Sequence, residues 1–457
     1  MTIPDFAQTN ETHDPNIRSW VEAANDPATD FPITNLPYCA FEAEHDGHSH
    51  RHLGVVIGDQ VLDVSMIAGA GALDIDNEEL IDDLHAPFWT FIAAQPPAVW
   101  QQIRRSVHRF LRADTHAGQQ ARRLREKAVH PLATTPLILP IPVVSYTDFY
   151  SSIHHASTVG AMFRPDNPLL PNYKHVPIGY HGRASSIIAS PAAFHRPRGQ
   201  TSPPDASPEK GPGFGPCTML DYELEVACYL AGENELGTSV PLSQAQDRVF
   251  GLGILNDWSA RDVQKWEYQP LGPFLAKNFA TSVSPLIVSR EALAPFRTAA
   301  PIRPAGDPTP LPYLTDSSDQ AFGGFDIQLE VLLESAKMRE AKIAPQRLSH
   351  GRAFKDLYWT IGQMIAHHAS NGCNLGAGDV IASGTVSGPE PDSRGCLLEL
   401  TWAGTGKPRT PISLPTGETR TFLADGDTVI MRAFAEREGF RRIGFGECRG
   451  TVLPARE

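Results

Sequence analysis

The 457 residues contain no uninterrupted apolar run approaching the roughly 18 residues that a membrane-crossing helix requires, so no span of that kind is expected. The opening stretch MTIPDFAQTNETHD is polar and acidic without an apolar core, and a cytoplasmic protein with no export signal, anchor or membrane partner is the expectation. Cysteine is scarce. The six present (Cys39, Cys217, Cys228, Cys373, Cys396 and Cys448) include no C-x-x-C pair, which argues against a zinc ribbon or a disulfide framework and suits a reducing compartment. Positive charge is also in deficit: 39 Lys and Arg against 52 Asp and Glu leave a net charge of -13. Without a basic stripe, nucleic acid and anionic membranes are poor partners. A small anionic substrate stays compatible wherever local cations gather it. What the chain does have is length and 41% hydrophobic residues, enough for a sizeable core and more in keeping with two domains than one.

Reactive side chains concentrate in residues 254–281, ILNDWSARDVQKWEYQPLGPFLAKNFAT. Val249, Phe250, Leu252, Ile254 and Leu255 read as a buried strand that ends at Asn256 and Asp257, with Asp257 or Ser259 able to cap a following helix. On that helix Arg261, Gln264 and Tyr268 are three and four residues apart and share a face, with Asp257 one turn earlier. Pro270, Gly272 and Pro273 then break the run and return Lys277 towards the same mouth. An ordinary amphipathic helix with a polar outer face is the competing reading.

Upstream, residues 220–230 (LDYELEVACYL) alternate, so Glu223 and Glu225 share one strand face, separated by about 7 Å from the strand rise. Two like charges at that spacing either face water or share a cation. With Asp148 and Asp257 the set is four carboxylates without sulfur or imidazole, a donor set for a hard cation such as Mg²⁺ or Ca²⁺. Residues 148–155 (DFYSSIHH) place His155 seven positions after Asp148. Residues 397–402 (LLELTW) read as a strand in which a buried Glu399 needs a partner, a histidine being a reasonable one. His367 and His368 close a helical pattern over 358–370 and are adjacent, so they cannot share a face and read as structural. Residues 378–388 read as a turn, a short strand and a glycine-rich loop.

The segment 1–140 reads as a small domain. Residues 54–64 (GVVIGDQVLDV) form a hairpin pattern around Gly58-Asp59. The preceding EHDGHSHRH, with His45, His48, His50 and His52, is taken as a solvated hairpin loop around Asp46-Gly47 rather than a metal site. Residues 87–129 are helical in pattern and locally basic, a solvated helical face, and 132–142 is a proline-punctuated hinge. The proline- and glycine-rich stretches 196–216 and 294–312 are long loops within one β-rich domain rather than linkers, since candidate site residues flank both.

Taken together and in order, DFYSSIHHA, RPDNPLLPNYKHVPIGYHGRASS, LDYELEVA, NDWSARDVQKWEYQPLGPFLAKNFATSVSP, HHASNGCNLGAGD, ASGTVSG and LLELTW resemble the fumarylacetoacetate hydrolase family, from about residue 30 to near the C-terminus. The resemblance implies a mixed α+β, β-rich fold: a small N-terminal SH3-like β-barrel over 1–140, with 1–30 a variable tail, and a large mixed β-roll catalytic domain over 141–457, assembled as a homodimer. It implies Asp148, Glu223, Glu225 and Asp257 as ligands of Mg²⁺ or Ca²⁺, a second cation by Asp257 at Lys277 and Thr281, His155 as general base and Glu399 as the carboxylate orienting it. Tyr150, Arg164, Gln264, Tyr268 and Thr385 match substrate-contacting positions, and Tyr180, Arg261 and Lys277 match residues lining the same pocket. Ile153 stands where an arginine is common and Ala280 where a glycine is expected.

The reaction so implied is hydrolysis of a carbon–carbon bond in a β-diketone acid, with Lys277 and Gln264 stabilising the oxyanion and Arg164 and Arg261 receiving substrate carboxylates. Two rivals stand beside it. Acylpyruvate hydrolases and related members of the superfamily share the acidic residues but resemble only the catalytic part. A non-catalytic calcium-binding protein would need the acidic cluster alone, yet gives His155, Gln264 and Lys277 no common purpose.

Overall fold

The computed structural model describes residues 3–45, 48–115, 119–203 and 208–457. The Asp46-Gly47 turn and parts of the 87–129 and 196–216 readings lie outside them. The fold is mixed and β-rich, and its organising layer is an eight-stranded sheet. Seven of its strands run in the order Gly179–His181, Tyr146–Phe149, Val380–Ala382, Leu224–Leu230, Val249–Asp257, Thr281–Val283, Ile187–Ala189, with Val288–Ser289 also on Val249–Asp257. The pairs 380–382 with 146–149 and 281–283 with 187–189 are parallel, and the others antiparallel.

Both central strands of this sheet are buried along their whole length, because each face meets a different partner layer. Leu224, Val226, Leu252 and Ile254 share a core with Ile327, Leu329, Val331 and Met431. Those last residues come from a second sheet, ordered Gln346–Ala353, Ile327–Glu334, Thr428–Ala435, Ile443–Leu453, Ala192–His195. The alternate residues Ala227, Tyr229 and Leu255, with Phe250 turned to their side by a register shift between Tyr229 and Leu230, share a separate core with Tyr38, Trp89 and Trp100 of the N-terminal part. Tyr38 stacks on Phe250 at 5.1 Å and Trp100 meets the same ring edge-on at 5.5 Å. A sheet covered on both sides reads as continuous apolar sequence rather than alternation.

The N-terminal part is built on a five-stranded antiparallel sheet ordered Val129–Pro131, Gln60–Asp63, His48–Ile57, Tyr38–His45, Leu137–Ile138. The expected hairpin turns at Gly58, whose φ of 57° suits glycine. Two expectations for this region change. Leu137 and Ile138 pair with Phe41 and Ala40, so the hinge segment is partly a strand of this sheet. The helix Pro97–Leu111 buries Trp100, Ile103, Arg104, Val107 and His108 and is not a solvated face; the Arg104 guanidinium donates to Thr12 Oγ1 and to the carbonyls of Thr34 and Asn35. The N-terminal tail is docked as well, with Thr12, His13, Ser19, Val21 and Ala24 buried. His13 Nε2 lies 2.7 Å from the Glu291 carbonyl oxygen.

Burial, and then the Arg104 charge, carries the His13 imidazole down from 6.5 to about 4 and that of His108 to about 3. A histidine held neutral in the fold takes up a proton on unfolding, so its contribution is complete above pH 6.5 and is lost as pH falls towards the folded value. Melting temperature is therefore expected to fall from about pH 6.5 to about pH 4 through both groups and on to about pH 3 through His108. His108 Nε2 has no hydrogen-bond partner among the described residues, and His108→Leu should flatten that slope; an unchanged slope would remove His108 from the effect.

Candidate active site

Alternation along three strands sets the site. Asp148 follows Tyr146, Glu225 precedes Ala227 and Tyr229, and Asp257 follows Leu255, all on the face that meets the N-terminal core. Ala382, paired with both Asp148 and Ala227, puts a small side chain between the outer strand and the central pair. Glu223, one step before its strand, sends its main-chain carbonyl to the Asp257 amide. Asp148, Glu223, Glu225 and Asp257 are buried, and one carboxylate oxygen of each lies within 4.8 Å of the others. The exposed polar face considered for Glu223 and Glu225 is therefore not what forms.

Two cations reach this cluster. Lys277 Nζ donates to Glu223 Oε2 at 2.5 Å and to Asp257 Oδ2 at 2.7 Å. Arg261 donates from Nη1 to Glu223 Oε1 at 2.5 Å and from Nε to Asp221 Oδ2 at 3.0 Å. Tyr180 Oη and Thr281 Oγ1 complete the Asp257 carboxylate at 3.0 and 3.2 Å. The charges are unevenly shared. Burial raises the Glu223 carboxyl, but Lys277 and Arg261 outweigh it and hold the group below its ordinary range. Burial, with the neighbouring carboxylates, pushes Asp148 and Glu225 far above theirs, and burial also raises Asp257.

Asp148 Oδ1 and both oxygens of Glu225 are buried with no hydrogen-bond partner among the described residues. Such oxygens are costly to leave alone. They converge with two further carboxylates and no sulfur or nitrogen donor, so the set fits a hard divalent cation. Lys277 does not fit a side-chain ligand of a second cation: its ammonium, raised by Asp257 and Glu223 against the cost of burial, is itself the positive charge beside Asp257.

The expected partner of the buried glutamate is present. The helix Ile153–Phe163 begins at Ser152, whose hydroxyl accepts the His155 amide, and His155 Nδ1 lies 2.6 Å from Glu399 Oε2. An Nδ1–H donated to a carboxylate leaves Nε2 as the basic nitrogen. Burial opposes the Glu399 charge, but His155, Ser387 and Cys396 hold its carboxyl below the ordinary range. Glu399 reaches this place from the helical turn Leu397–Leu400, not from the expected strand. Asp221 caps that turn, accepting the amides of Leu397 and Leu398.

Arg261 and Gln264 share a helical face as expected, 3.2 Å apart. That helix, Arg261–Glu267, has Ala260 as its N-cap with no side-chain cap bond, so neither Asp257 nor Ser259 caps it. Tyr268 ends it and Arg164 ends the helix carrying His155; Phe163 and Tyr268 meet at 5.9 Å, which brings the two helix ends together. Tyr150 presents its edge to His155 at 5.5 Å. Thr385 Oγ1 and Arg164 Nε are buried without hydrogen-bond partners among the described residues. A cavity of 570 Å³ opens beside Tyr180, Asp257, Lys277 and Thr281, bounded outside by Arg183 and Phe274. Asp221, Ser387 and Cys396 were not singled out from sequence; their signal is only that each is a polar side chain within an otherwise buried run.

Outside the site, His367 Nδ1 bonds Tyr313 and His368 Nε2 bonds Thr147, a structural use of that pair. All six cysteines are free.

Two family profiles account for most of the chain: "Fumarylacetoacetate (FAA) hydrolase C-terminal" matches residues 145–453 and "Fumarylacetoacetase N-terminal" matches 34–140. The chain belongs to the fumarylacetoacetase family. It is a hydrolase of that kind. Fumarylacetoacetase of Bos taurus is 44% identical over 96% of this chain and 99% of its own length. That of Caenorhabditis elegans is 47% identical over 93% and 97%, and that of Homo sapiens 44% over 96% and 99%. Fumarylacetoacetase relatives thus match both the N-terminal and C-terminal parts described above.

Proposed function

We propose that the protein hydrolyses 4-fumarylacetoacetate to fumarate and acetoacetate, the last step of tyrosine and phenylalanine catabolism. The observation that carries this reading is a buried, under-compensated carboxylate cluster near enough to a His155–Glu399 pair at 2.6 Å for Glu223 to feel the His155 charge. In this reading Asp148, Glu223, Glu225 and Asp257 hold Mg²⁺ or Ca²⁺, which supplies Lewis-acid polarisation and a fixed geometry for the diketone.

The chain's own groups carry the remaining steps. His155 Nε2 takes a proton from water as hydroxide adds to the carbonyl carbon. Lys277 has three N–H donors and uses two on Glu223 and Asp257, leaving one for the developing oxyanion. Gln264 accepts from Arg261 through Oε1, which leaves its Nε2 as the second donor. Collapse of the tetrahedral adduct breaks the carbon–carbon bond; acetoacetate leaves as an enolate, and the proton held by His155 is returned to carbon. Tyr150, Tyr180, Tyr268 and Thr385 line the path of the substrate.

Arg261 is spent on Asp221 and Glu223, so the substrate carboxylate falls to Arg164. Among the described residues its Nη2 bonds only the Pro168 carbonyl, at 3.1 Å. Arg164→Leu is expected to raise KM by about tenfold or more, the worth of a charge-assisted hydrogen bond, with kcat little changed; an equal fall in kcat and kcat/KM would mean that the contact is made in the transition state.

The same reading takes residues 1–140 as a small SH3-like unit, 141–457 as the catalytic unit, and the working form as a cytoplasmic homodimer. The deciding assay follows the diketone absorbance of fumarylacetoacetate with purified protein, before chelation, after it, and after Mg²⁺ or Ca²⁺ is restored. Turnover that disappears and returns with the cation supports the proposal. Turnover of acylpyruvates in its place would move the assignment to those relatives, and cation binding with no diketone turnover would favour a binding protein.

A further inference from the structure

Glu399 is held almost wholly through one oxygen. Its Oε2 receives His155 Nδ1 at 2.6 Å, Ser387 Oγ at 2.6 Å and the Cys396 thiol at 3.3 Å, while Oε1 has no hydrogen-bond partner among the described residues and faces the Arg394 guanidinium at 3.8 Å. The direction of the Ser387 bond is fixed by its surroundings: Oγ accepts the Gly395 amide at 2.9 Å, so its own proton goes to the carboxylate. The main chain of Ser387 is tied to His155 by a second route. Ser152 Oγ donates to the Ser387 carbonyl at 2.9 Å and accepts the His155 amide at 3.2 Å. Backbone of His155, Ser152, Ser387, Glu399 and ring of His155 thus form a closed circuit of hydrogen bonds, all of it buried.

We infer that Ser387 is a positioning residue for the general base: it fixes the Glu399 carboxylate against the helix that carries His155 and shares the carboxylate's charge. The inference rests on the reading of His155 as base. Without the hydroxyl the carboxylate keeps one strong partner and one weak thiol, and is free to turn about its own axis. A carboxylate that loses a donor is also a stronger acceptor for the imidazole proton. The other ionisable groups facing this pair are Glu223, whose carboxyl feels His155, His154, Tyr150, Cys396 and Arg394.

The test compares Ser387→Ala, Cys396→Ser, His155→Ala and the Ser387→Ala/His155→Ala double variant in the full-length, cation-loaded protein, with kcat, KM and the pH profile of kcat/KM for each. Ser387→Ala should lower kcat by about 10- to 100-fold, the usual cost of removing a group that orients a functional histidine, leave KM near its starting value and move the acid limb to higher pH. Cys396→Ser replaces a weak donor by a strong one and should move the limb to lower pH, which keeps the inference open to test if Ser387→Ala does not fold. In the His155→Ala background, loss of the Ser387 hydroxyl should change nothing further. An unaltered profile in Ser387→Ala, a Cys396→Ser shift in the same direction as Ser387→Ala, or a further loss in the double variant overturns the inference. A His155→Ala variant that keeps its activity overturns the base reading instead.

Discussion

Alanine at position 155 is expected to lower kcat by about 10²- to 10⁴-fold, the range spanned by removal of a positioned general base, while cation binding stays intact. The two effects separate because His155 is bonded to Glu399 and not to the cluster of Asp148, Glu223, Glu225 and Asp257, whose unpartnered oxygens belong to Asp148 and Glu225. Glu399→Gln should approach the same loss. It keeps the shape of the side chain but gives up the charge that stabilises the imidazolium formed when the proton is taken. The double variant should be scarcely worse than His155→Ala alone, since the pair acts as a unit. Steady-state kinetics with a cation-dependent melting curve on each variant checks this. An unchanged kcat in His155→Ala would take His155 out of the base role, and a lost cation response would place it among the ligands.

Local periodicity is what made part of this site legible. Strand alternation is fixed by the backbone, so Glu223 and Glu225 could be put on one face from sequence. The three-residue spacing of Arg261 and Gln264 likewise survived as a contact of 3.2 Å. Residues brought in across sequence were not legible in the same way. Asp221 meets Arg261 from 40 positions away and Ser387 meets Glu399 from 12, so no period links them. The bonds of Arg261 to Asp221 and Glu223 were not legible either, because composition counts charges without saying which buried acid each neutralises. Glu399 was put on a strand because a four-residue helical turn, held by Asp221 at its amides, is too short to show a 3.6-residue pattern. Docking of the N-terminal tail went unread for a related reason: its buried groups, His13 and Thr12 among them, are polar and satisfied by Glu291 and Arg104, and polar sequence ordinarily signals solvent.

Replacing Glu225 with glutamine should have opposite effects on stability in the absence of cation and on function in its presence. Both Glu225 oxygens are buried and unpartnered, and burial together with Asp148 and Asp257 disfavours their charge. In chelated protein that carboxylate is a liability; an uncharged amide of the same shape can donate to its neighbours, so the chelated variant should melt above the chelated parent. Added Mg²⁺ or Ca²⁺ should then raise the melting temperature of the parent, by the equivalent of about 2.7 kcal/mol at a hundred times the dissociation constant, and leave the variant nearly unmoved. Turnover should fall on the order of 10²-fold or more, because the several kcal/mol of charge stabilisation that a bound cation supplies is lost with it. Lys277 and Arg261 neutralise Glu223 and the near side of Asp257, so removal of either cation instead should destabilise the chelated protein. That contrast tells a site built to receive a cation from an acidic cluster already balanced by its own bases. A Glu225→Gln variant that keeps both its cation response and its turnover would remove Glu225 from the ligand set and with it the four-carboxylate reading.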